Sequence, residues 1–121
     1  MADNGRSAVA VVDDDIAVLD SLKFLLEVEG YKVTTYNSAM AVLKDLAPPS
    51  SCLIVDQHMP QMTGLELTAE LRAKGMQIPV LLITAAPSAA IVAEAAQLGI
   101  EKVLEKPAVE QDLLSFVATY C

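Results

Sequence analysis

The sequence predicts an α/β fold in which strands and helices alternate around one doubly wound parallel sheet. Short runs of aliphatic and β-branched residues alternate along the chain with longer stretches whose apolar residues recur at helical spacing. Four of the short runs end in polar residues, as strands do at a functional carboxyl edge. The chain has 121 residues, 54% of them hydrophobic, which fits one domain with a sizeable core and excludes a disordered protein.

The first βα unit is expected to begin with a strand over residues 8–12. Asp15 can then serve as the N-cap of a helix whose leucines recur at helical spacing. Gly30 follows as a helix stop.

The second unit is expected to begin with a strand over residues 31–36, which alternates between polar and apolar residues. Asn37 or Ser38 can cap the helix that follows. That helix is predicted to run through Leu46 and to be closed by the pair Pro48-Pro49.

Three further βα units complete the chain. Their strands are expected at residues 51–56, 79–84 and 100–104, and their helices at residues 63–74, 88–98 and 108–120. Thr63 and Glu66 have the spacing of a capping box, and Gly75 and Gly99 follow two of the helices as stops.

These five units predict a flavodoxin-like (βα)5 architecture, a five-stranded parallel sheet in the order 2-1-3-4-5. The first, third and fourth strands are the most continuously apolar, which is typical of central strands covered on both faces. The second strand is more polar and is expected at an edge.

A cluster of polar residues is predicted at the carboxyl edge of this sheet, where the functional sites of such folds lie. Asp13 and Asp14 follow the first strand, Asp56 ends the third, Thr84 ends the fourth, and Lys106 follows the fifth. Carboxylates from two strand ends suit magnesium, which prefers hard oxygen ligands. The cluster therefore points to a magnesium site beside a carboxylate, Asp56, that can accept a phosphoryl group.

Simpler roles stand beside that hypothesis. Asp15 is best explained as a helix cap, and Asp13 could be a solvated loop carboxylate. Thr84 and Lys106 taken singly would be ordinary surface residues. His58, the only histidine, is expected to be a solvent-facing side chain beside the site, because no second histidine or suitably placed cysteine is present to build a zinc site.

Charge and cysteine content indicate which partners and which cellular compartment the domain is expected to have. The formal net charge is -8, which argues against direct nucleic acid binding and against binding to anionic membranes. Residues 1–7 form a short polar tail with no signal-peptide core, and no apolar run approaches membrane-spanning length. The two cysteines, Cys52 and Cys121, do not suggest a disulfide framework. A cytoplasmic protein with reduced thiols is expected.

The chain resembles the receiver domains of bacterial two-component response regulators. The resemblance covers nearly the whole chain and rests on five segments. They are Val12-Asp13-Asp14-Asp15, Val55-Asp56-Gln57-His58-Met59-Pro60, Gly64, Ile83-Thr84-Ala85 and Lys106-Pro107. The segments Asp20–Glu27, Gly30-Tyr31 and Tyr36–Ala39 are most similar to receivers of nitrogen-fixation-type (LuxR-class) regulators, which usually precede a DNA-binding domain.

The resemblance implies a role for each site residue. Asp56 would be the phosphoacceptor, and Thr84 and Lys106 would contact the phosphoryl group. Mg²⁺, with Mn²⁺ able to substitute, would be held by Asp13, Asp14, Asp56 and the main-chain carbonyl of His58. This chemistry is self-phosphorylation and autodephosphorylation rather than turnover of a separate substrate.

The resemblance also implies partners and an output. The donor would be a sensor histidine kinase or a phosphotransfer protein. The signal would leave through the face formed by helix 4, strand 5 and helix 5, which also leaves a homodimer open. Residues 1–121 are expected to be a single receiver domain with no output domain, so the sequence is either a single-domain receiver or a fragment of a longer protein.

The chain departs from the family pattern at Val103, where many receivers carry an aromatic residue that rotates during switching. This departure leaves open a receiver-like interaction module that switches weakly or not at all. A small magnesium-dependent phosphatase is a further alternative. It is disfavoured because residue 58 is histidine rather than a second carboxylate, and because the chain has no room for a substrate-covering cap.

Overall fold

The computed structural model describes residues 8–45 and 50–121, which form five strands and five helices in strict alternation. The strands are β1 Ala8–Val12, β2 Lys32–Tyr36, β3 Cys52–Asp56, β4 Val80–Thr84 and β5 Lys102–Glu105. The helices are α1 Ile16–Val28, α2 Ala39–Lys44, α3 Gly64–Ala73, α4 Ala89–Gln97 and α5 Glu110–Tyr120. All neighbouring strands are parallel, in the order β2-β1-β3-β4-β5. The predicted fold class and strand order are confirmed.

The sheet is covered by helices on both faces, as its sequence pattern predicts. Strands β3 and β4 are buried over their whole length, whereas most residues of β2 are exposed at the edge. Successive β1 residues point to opposite faces: Ala10 and Val12 pack with α2, α3 and α4, and Val9 and Val11 pack with α1 and α5. The two apolar layers hold the sheet, and thus the carboxyl ends of its strands, in one fixed frame.

Polar caps begin the first four helices. The side chains of Asp15, Ser38, Thr63 and Ser88 each accept a hydrogen bond from a backbone N–H in the first turn. The capping box of Thr63 and Glu66 is present, and Ser38 rather than Asn37 caps α2.

Helix α2 ends at Lys44, and the predicted continuation through Leu46 to Pro48-Pro49 lies outside the described residues. Within the described ranges, no helix is long and apolar enough to cross a membrane.

The expectation of reduced thiols is wrong for this structure, because Cys52 and Cys121 are joined in a disulfide. Their Cα atoms lie 5.4 Å apart although they are 69 residues apart in sequence. Helices of a βα fold run back toward the amino edge of the sheet, so the end of α5 reaches the first residue of β3. Cys52 is buried on the face of the sheet that α5 covers.

Candidate functional site

Three carboxylates meet at the carboxyl edge of the sheet. Asp13 directly follows β1 and Asp56 is the last residue of β3, and each is only 3% exposed. Asp14 is exposed beside them. One carboxylate oxygen from each of the three lies within 4.8 Å of the other two. The alternative of a solvated Asp13 is thus wrong, and the predicted acidic cluster is assembled.

Backbone hydrogen bonds fix Asp13 in that cluster. Its N–H donates to the Tyr36 carbonyl at 3.1 Å, and its Oδ1 accepts from the Asp15 N–H at 2.9 Å. Burial raises the pKa of the Asp13 carboxyl, and repulsion from Asp56 and Asp14 raises it further, against lowering by the Asp15 N–H and Lys106. A cation bound between the three carboxylates would relieve this repulsion.

Lys106 supplies the positive charge that faces the cluster. Its Nζ lies 3.0 Å from Asp56 Oδ1 and 3.9 Å from Asp13 Oδ2. Burial alone would lower the pKa of the Lys106 ammonium, but Asp56, Asp13 and Asp14 outweigh it and raise the pKa. The backbone N–H of Lys106 donates to the Thr84 carbonyl at 2.9 Å. The peptide bond between Lys106 and Pro107 is cis.

Asp56 Oδ1 is buried and receives no hydrogen bond of good geometry from the described residues. The Lys106 ammonium is its close charged neighbour. With the ammonium as its charged neighbour, this oxygen retains a lone pair for a new bond.

Thr84 ends β4 and is fully buried. Its Oγ1 lies 3.0 Å from His58 Nε2 and accepts from the Ala86 N–H at 3.2 Å. The His58 side chain is exposed, as expected, but its contact with Thr84 is a feature that sequence reasoning missed. No described contact tests the predicted role of the His58 carbonyl, which stays a prediction.

The loop between β3 and α3 is held by a residue that the sequence did not single out. Gln57 is buried, and its Oε1 accepts from the Leu65 N–H at 2.9 Å, while its own N–H donates to the Ile83 carbonyl at 2.8 Å. Gly64 is the first residue of α3 and lies close to the end of β3. A Cβ there would lie 2.7 Å from Leu82 Cδ1 and 2.8 Å from the Asp56 carbonyl oxygen, so only glycine fits without movement.

A largely apolar groove opens beside the acidic cluster. Its volume is about 480 Å³, and it runs between α1 and the start of α5. Asp13 and Lys106 lie at its polar end, and the remaining lining residues include Ala17, Leu22 and Pro107. This groove was not predicted, because it depends on how two helices from opposite ends of the chain pack together.

Val103 lies in β5 opposite Leu82 of β4 and packs, partly buried, against the core cluster under α4. It occupies the position at which the family pattern would have an aromatic ring. The side chain is thus part of the apolar layer rather than a group that projects from the surface.

Comparison with known proteins identifies the family of this chain. Residues 9–118 match the family described as the response regulator receiver domain. The transcriptional regulatory protein FixJ of Azorhizobium caulinodans is 43% identical over 100 residues, which are 82% of this chain and 47% of that protein. The response regulator protein TmoT of Ectopseudomonas mendocina is 36% identical over 115 residues, 94% of this chain and 52% of that protein.

Solved structures show the same architecture. Full-length FixJ from B. japonicum superposes with a TM-score of 0.84 at 34% identity, covering 94% of this chain and 57% of that one. The Vibrio cholerae chemotaxis protein CheY4 superposes with a TM-score of 0.87 at 27% identity, covering 97% of this chain and 100% of that one. The chain spans about half the length of the curated relatives it matches. It belongs to the response regulator receiver domain family.

Proposed function

We propose that this chain is a phosphoacceptor switch that takes a phosphoryl group onto Asp56 from a histidine kinase or a phosphotransfer protein. The observation that carries the proposal is the buried Asp56 carboxylate, which has Lys106 Nζ at 3.0 Å and two further carboxylates beside it. A nucleophilic carboxylate, a fixed cation and an acidic cluster are the groups that an aspartyl phosphate site requires.

The acidic cluster fits magnesium. Its donors are hard carboxylate oxygens from Asp13, Asp14 and Asp56, one of them exposed, which leaves room for the water ligands that magnesium retains. Burial, and then repulsion from Asp56 and Asp14, raise the pKa of Asp13, and a cation held between the carboxylates would offset that repulsion. When bound, magnesium would neutralise charge on the phosphoryl oxygens, and the His58 carbonyl remains the proposed further ligand.

Each protein group then has a defined task. A carboxylate oxygen of Asp56 attacks the phosphorus, an O–P bond forms, and the N–P bond to the donor imidazole breaks. The Lys106 ammonium offsets the negative charge on the equatorial oxygens. Thr84 donates its hydroxyl hydrogen to one phosphoryl oxygen, so the new charge is read at the end of β4.

The donor and the output are inferred from the surroundings of the site. The groove between α1 and α5 opens at Lys106 and would admit an apolar helix that carries the donor histidine. We assign the output, and a homodimer contact, to the face of α4, β5 and α5, where Val92 of α4 is 49% exposed. Because the relatives include transcriptional regulators of twice this length, regulation of transcription through a separate output domain is the proposed end effect.

The proposed setting is cytoplasmic, with residues 1–121 acting as one receiver domain. Disulfides are rare in that compartment, and the bond between Cys52 and Cys121 is the feature of this structure that the proposed setting does not explain. The domain modifies itself and does not turn over a separate substrate.

The test is the intact mass of the protein after incubation with acetyl phosphate, with magnesium or with a chelator. We expect a magnesium-dependent gain of one phosphoryl group that is absent in Asp56→Asn and weakened in Lys106→Met. Asp20→Asn, which removes one exposed carboxylate from α1, is the matched control and should behave as the parent. Equal phosphorylation of Asp56→Asn would refute the assignment.

Val103 favours one alternative, a receiver-like module with weak switching. Because valine has no ring to rotate and already packs in the core, the usual coupling of β4 to β5 cannot operate through it. A phosphorylated domain whose α4 and α5 amide signals do not move would support this alternative.

A further inference from the structure

The hydroxyl of Thr84 is already engaged in the unphosphorylated domain. Its Oγ1 has His58 Nε2 at 3.0 Å and the Ala86 N–H at 3.2 Å. A threonine hydroxyl offers one hydrogen and two lone pairs. The Ala86 N–H occupies one lone pair, and the hydroxyl hydrogen goes to His58 Nε2 in the tautomer whose Nε2 is an acceptor. Within residues 8–45 and 50–121, Asp56 Oδ1 receives no hydrogen bond from Thr84.

His58 reaches this hydroxyl because of the sheet register. Asp56 pairs with Ile83, so the loop that follows β3 lies directly beside the end of β4. His58 is two residues beyond Asp56, and the small exposed residues Ala85 and Ala86 leave the space above Thr84 open to its ring. The backbone next to His58 is fixed in position, because the buried side chain of Gln57 accepts a hydrogen bond from the first turn of α3.

We propose that His58 is a positioning residue that holds the Thr84 hydroxyl at the rim of the site until a phosphoryl group on Asp56 competes for it. The inference rests on the proposed function, since it concerns the group that reads the phosphoryl charge. His58 touches Thr84 and not the reacting atoms. The His58 side chain stabilises the resting arrangement. Part of the free energy of the interaction between Thr84 and a phosphoryl group is therefore needed to break the contact between His58 and Thr84.

This role has a definite consequence. Replacing the imidazole by a ring of similar shape that cannot hydrogen-bond frees the hydroxyl, so a phosphoryl group or its analogue should bind the changed site more tightly. A net hydrogen bond of the usual strength corresponds to a gain of about three- to tenfold in affinity. An amide at the same position keeps a donor and an acceptor, so it should restore part of the hold on Thr84.

The experiment titrates beryllofluoride, a phosphoryl analogue, in the presence of magnesium at one fixed pH. The readout is the dissociation constant and the Thr84 amide and methyl signals by NMR. The variants are His58→Phe and His58→Gln, each made in the parent and in a Thr84→Val background. We expect about three- to tenfold tighter binding by His58→Phe, an intermediate value for His58→Gln, and no gain from His58→Phe once Thr84→Val has removed the hydroxyl.

The Thr84 signals of ligand-free His58→Phe should shift, whereas those of Tyr36, at the far edge of the sheet, should not, which shows that the fold is kept. Equal or weaker binding by His58→Phe, or the same gain in the Thr84→Val background, would overturn the inference and leave the proposed function intact. Failure of the parent to bind beryllofluoride with magnesium would instead overturn the proposed function itself.

Discussion

Replacing Asp13 by asparagine should stabilise the magnesium-free domain while removing most of its response to magnesium. The change is nearly isosteric and keeps the Oδ1 that accepts from the Asp15 N–H at 2.9 Å. It removes only the charge of a carboxylate that is 3% exposed. The parent domain is less stable than the variant because it keeps an ionised carboxylate buried at a site where a cation can bind.

The magnitude follows from three terms. Loss of repulsion from Asp56, which has an oxygen within 4.8 Å of one on Asp13, favours the variant by at least about 3.5 kcal/mol at an effective dielectric constant near 20. Loss of attraction to Lys106 Nζ, at 3.9 Å, opposes it by about 4 kcal/mol. The two nearly cancel, so the relief of burial, the largest cause of the raised pKa of Asp13, decides the sign. We expect a net gain of about 0.5–2 kcal/mol.

The same reasoning fixes the pH dependence. Because the folded-state pKa of Asp13 is raised above 3.8, the folded domain holds this proton more tightly than the unfolded chain does. Stability is therefore lost as the pH rises from 3.8 through the folded-state pKa. The advantage of Asp13→Asn should be full above the folded-state pKa and should fade as the pH falls through it toward 3.8.

Urea unfolding with a chelator, then with magnesium, measures both effects. Magnesium at ten times its dissociation constant should stabilise the parent by about 1.4 kcal/mol and Asp13→Asn by much less. Asp20→Asn, an exposed carboxylate on α1, makes the same change in net charge and should shift stability by no more than about 0.5 kcal/mol. An Asp13→Asn domain that is less stable than the parent without metal would refute the reasoning.

Three further changes test separate parts of the fold. Tyr36→Phe removes the 3.0 Å hydrogen bond to Asp45 and should cost about 0.5–1.5 kcal/mol. Burial and then Asp45 raise the pKa of Tyr36 above 10.0, so the parent, unlike the variant, should lose this stability as the pH rises beyond 10.0; parallel pH profiles would contradict this. Reducing the bond between Cys52 and Cys121 should cost about 2–4 kcal/mol in denaturant unfolding, and an unchanged midpoint would show that the bond does not stabilise the domain. Gly64→Ala places a methyl group 2.8 Å from a strand carbonyl and should cost about 1–3 kcal/mol by the same assay, whereas a loss below about 0.5 kcal/mol would mean that the strand yields freely.

Local sequence signals predicted the fold because each acts over a few residues. The helix stop at Gly30 and the capping box at Thr63 and Glu66 are such signals, and both lie where the sequence indicated. The strand order followed from the series of five βα units, and the continuously apolar runs agreed with central places for β1, β3 and β4. The convergence of Asp13 and Asp56 could be predicted as well, because the ends of parallel strands share one edge whatever the helices do.

Features that depend on packing between distant residues could not be predicted. The Cys52–Cys121 bond requires the exact length and tilt of α5, and no spacing rule applies to two cysteines. The guanidinium of Arg72 donates to the carbonyls of Met76, Ile78 and Leu98 at 2.9, 2.8 and 2.8 Å. It thus ties α3 to the segment that precedes β4 and to the C-cap of α4. The sequence shows only an arginine near a helix end.

The site contains features of both kinds, those that could be predicted and those that could not. Its charged groups were predicted because each ends or follows a strand. The engagement of Thr84 by His58 was missed, because it depends on where a loop side chain turns after the strand has ended.

The most direct test of the central claim is to locate the phosphoryl group. After reaction with acetyl phosphate and magnesium, borohydride reduces an aspartyl phosphate to homoserine, which peptide mass spectrometry assigns to one residue. The account predicts homoserine at Asp56 and at no other aspartate, and none when magnesium is withheld. Homoserine at Asp13 or Asp14, or a phosphoryl group on His58, would contradict it.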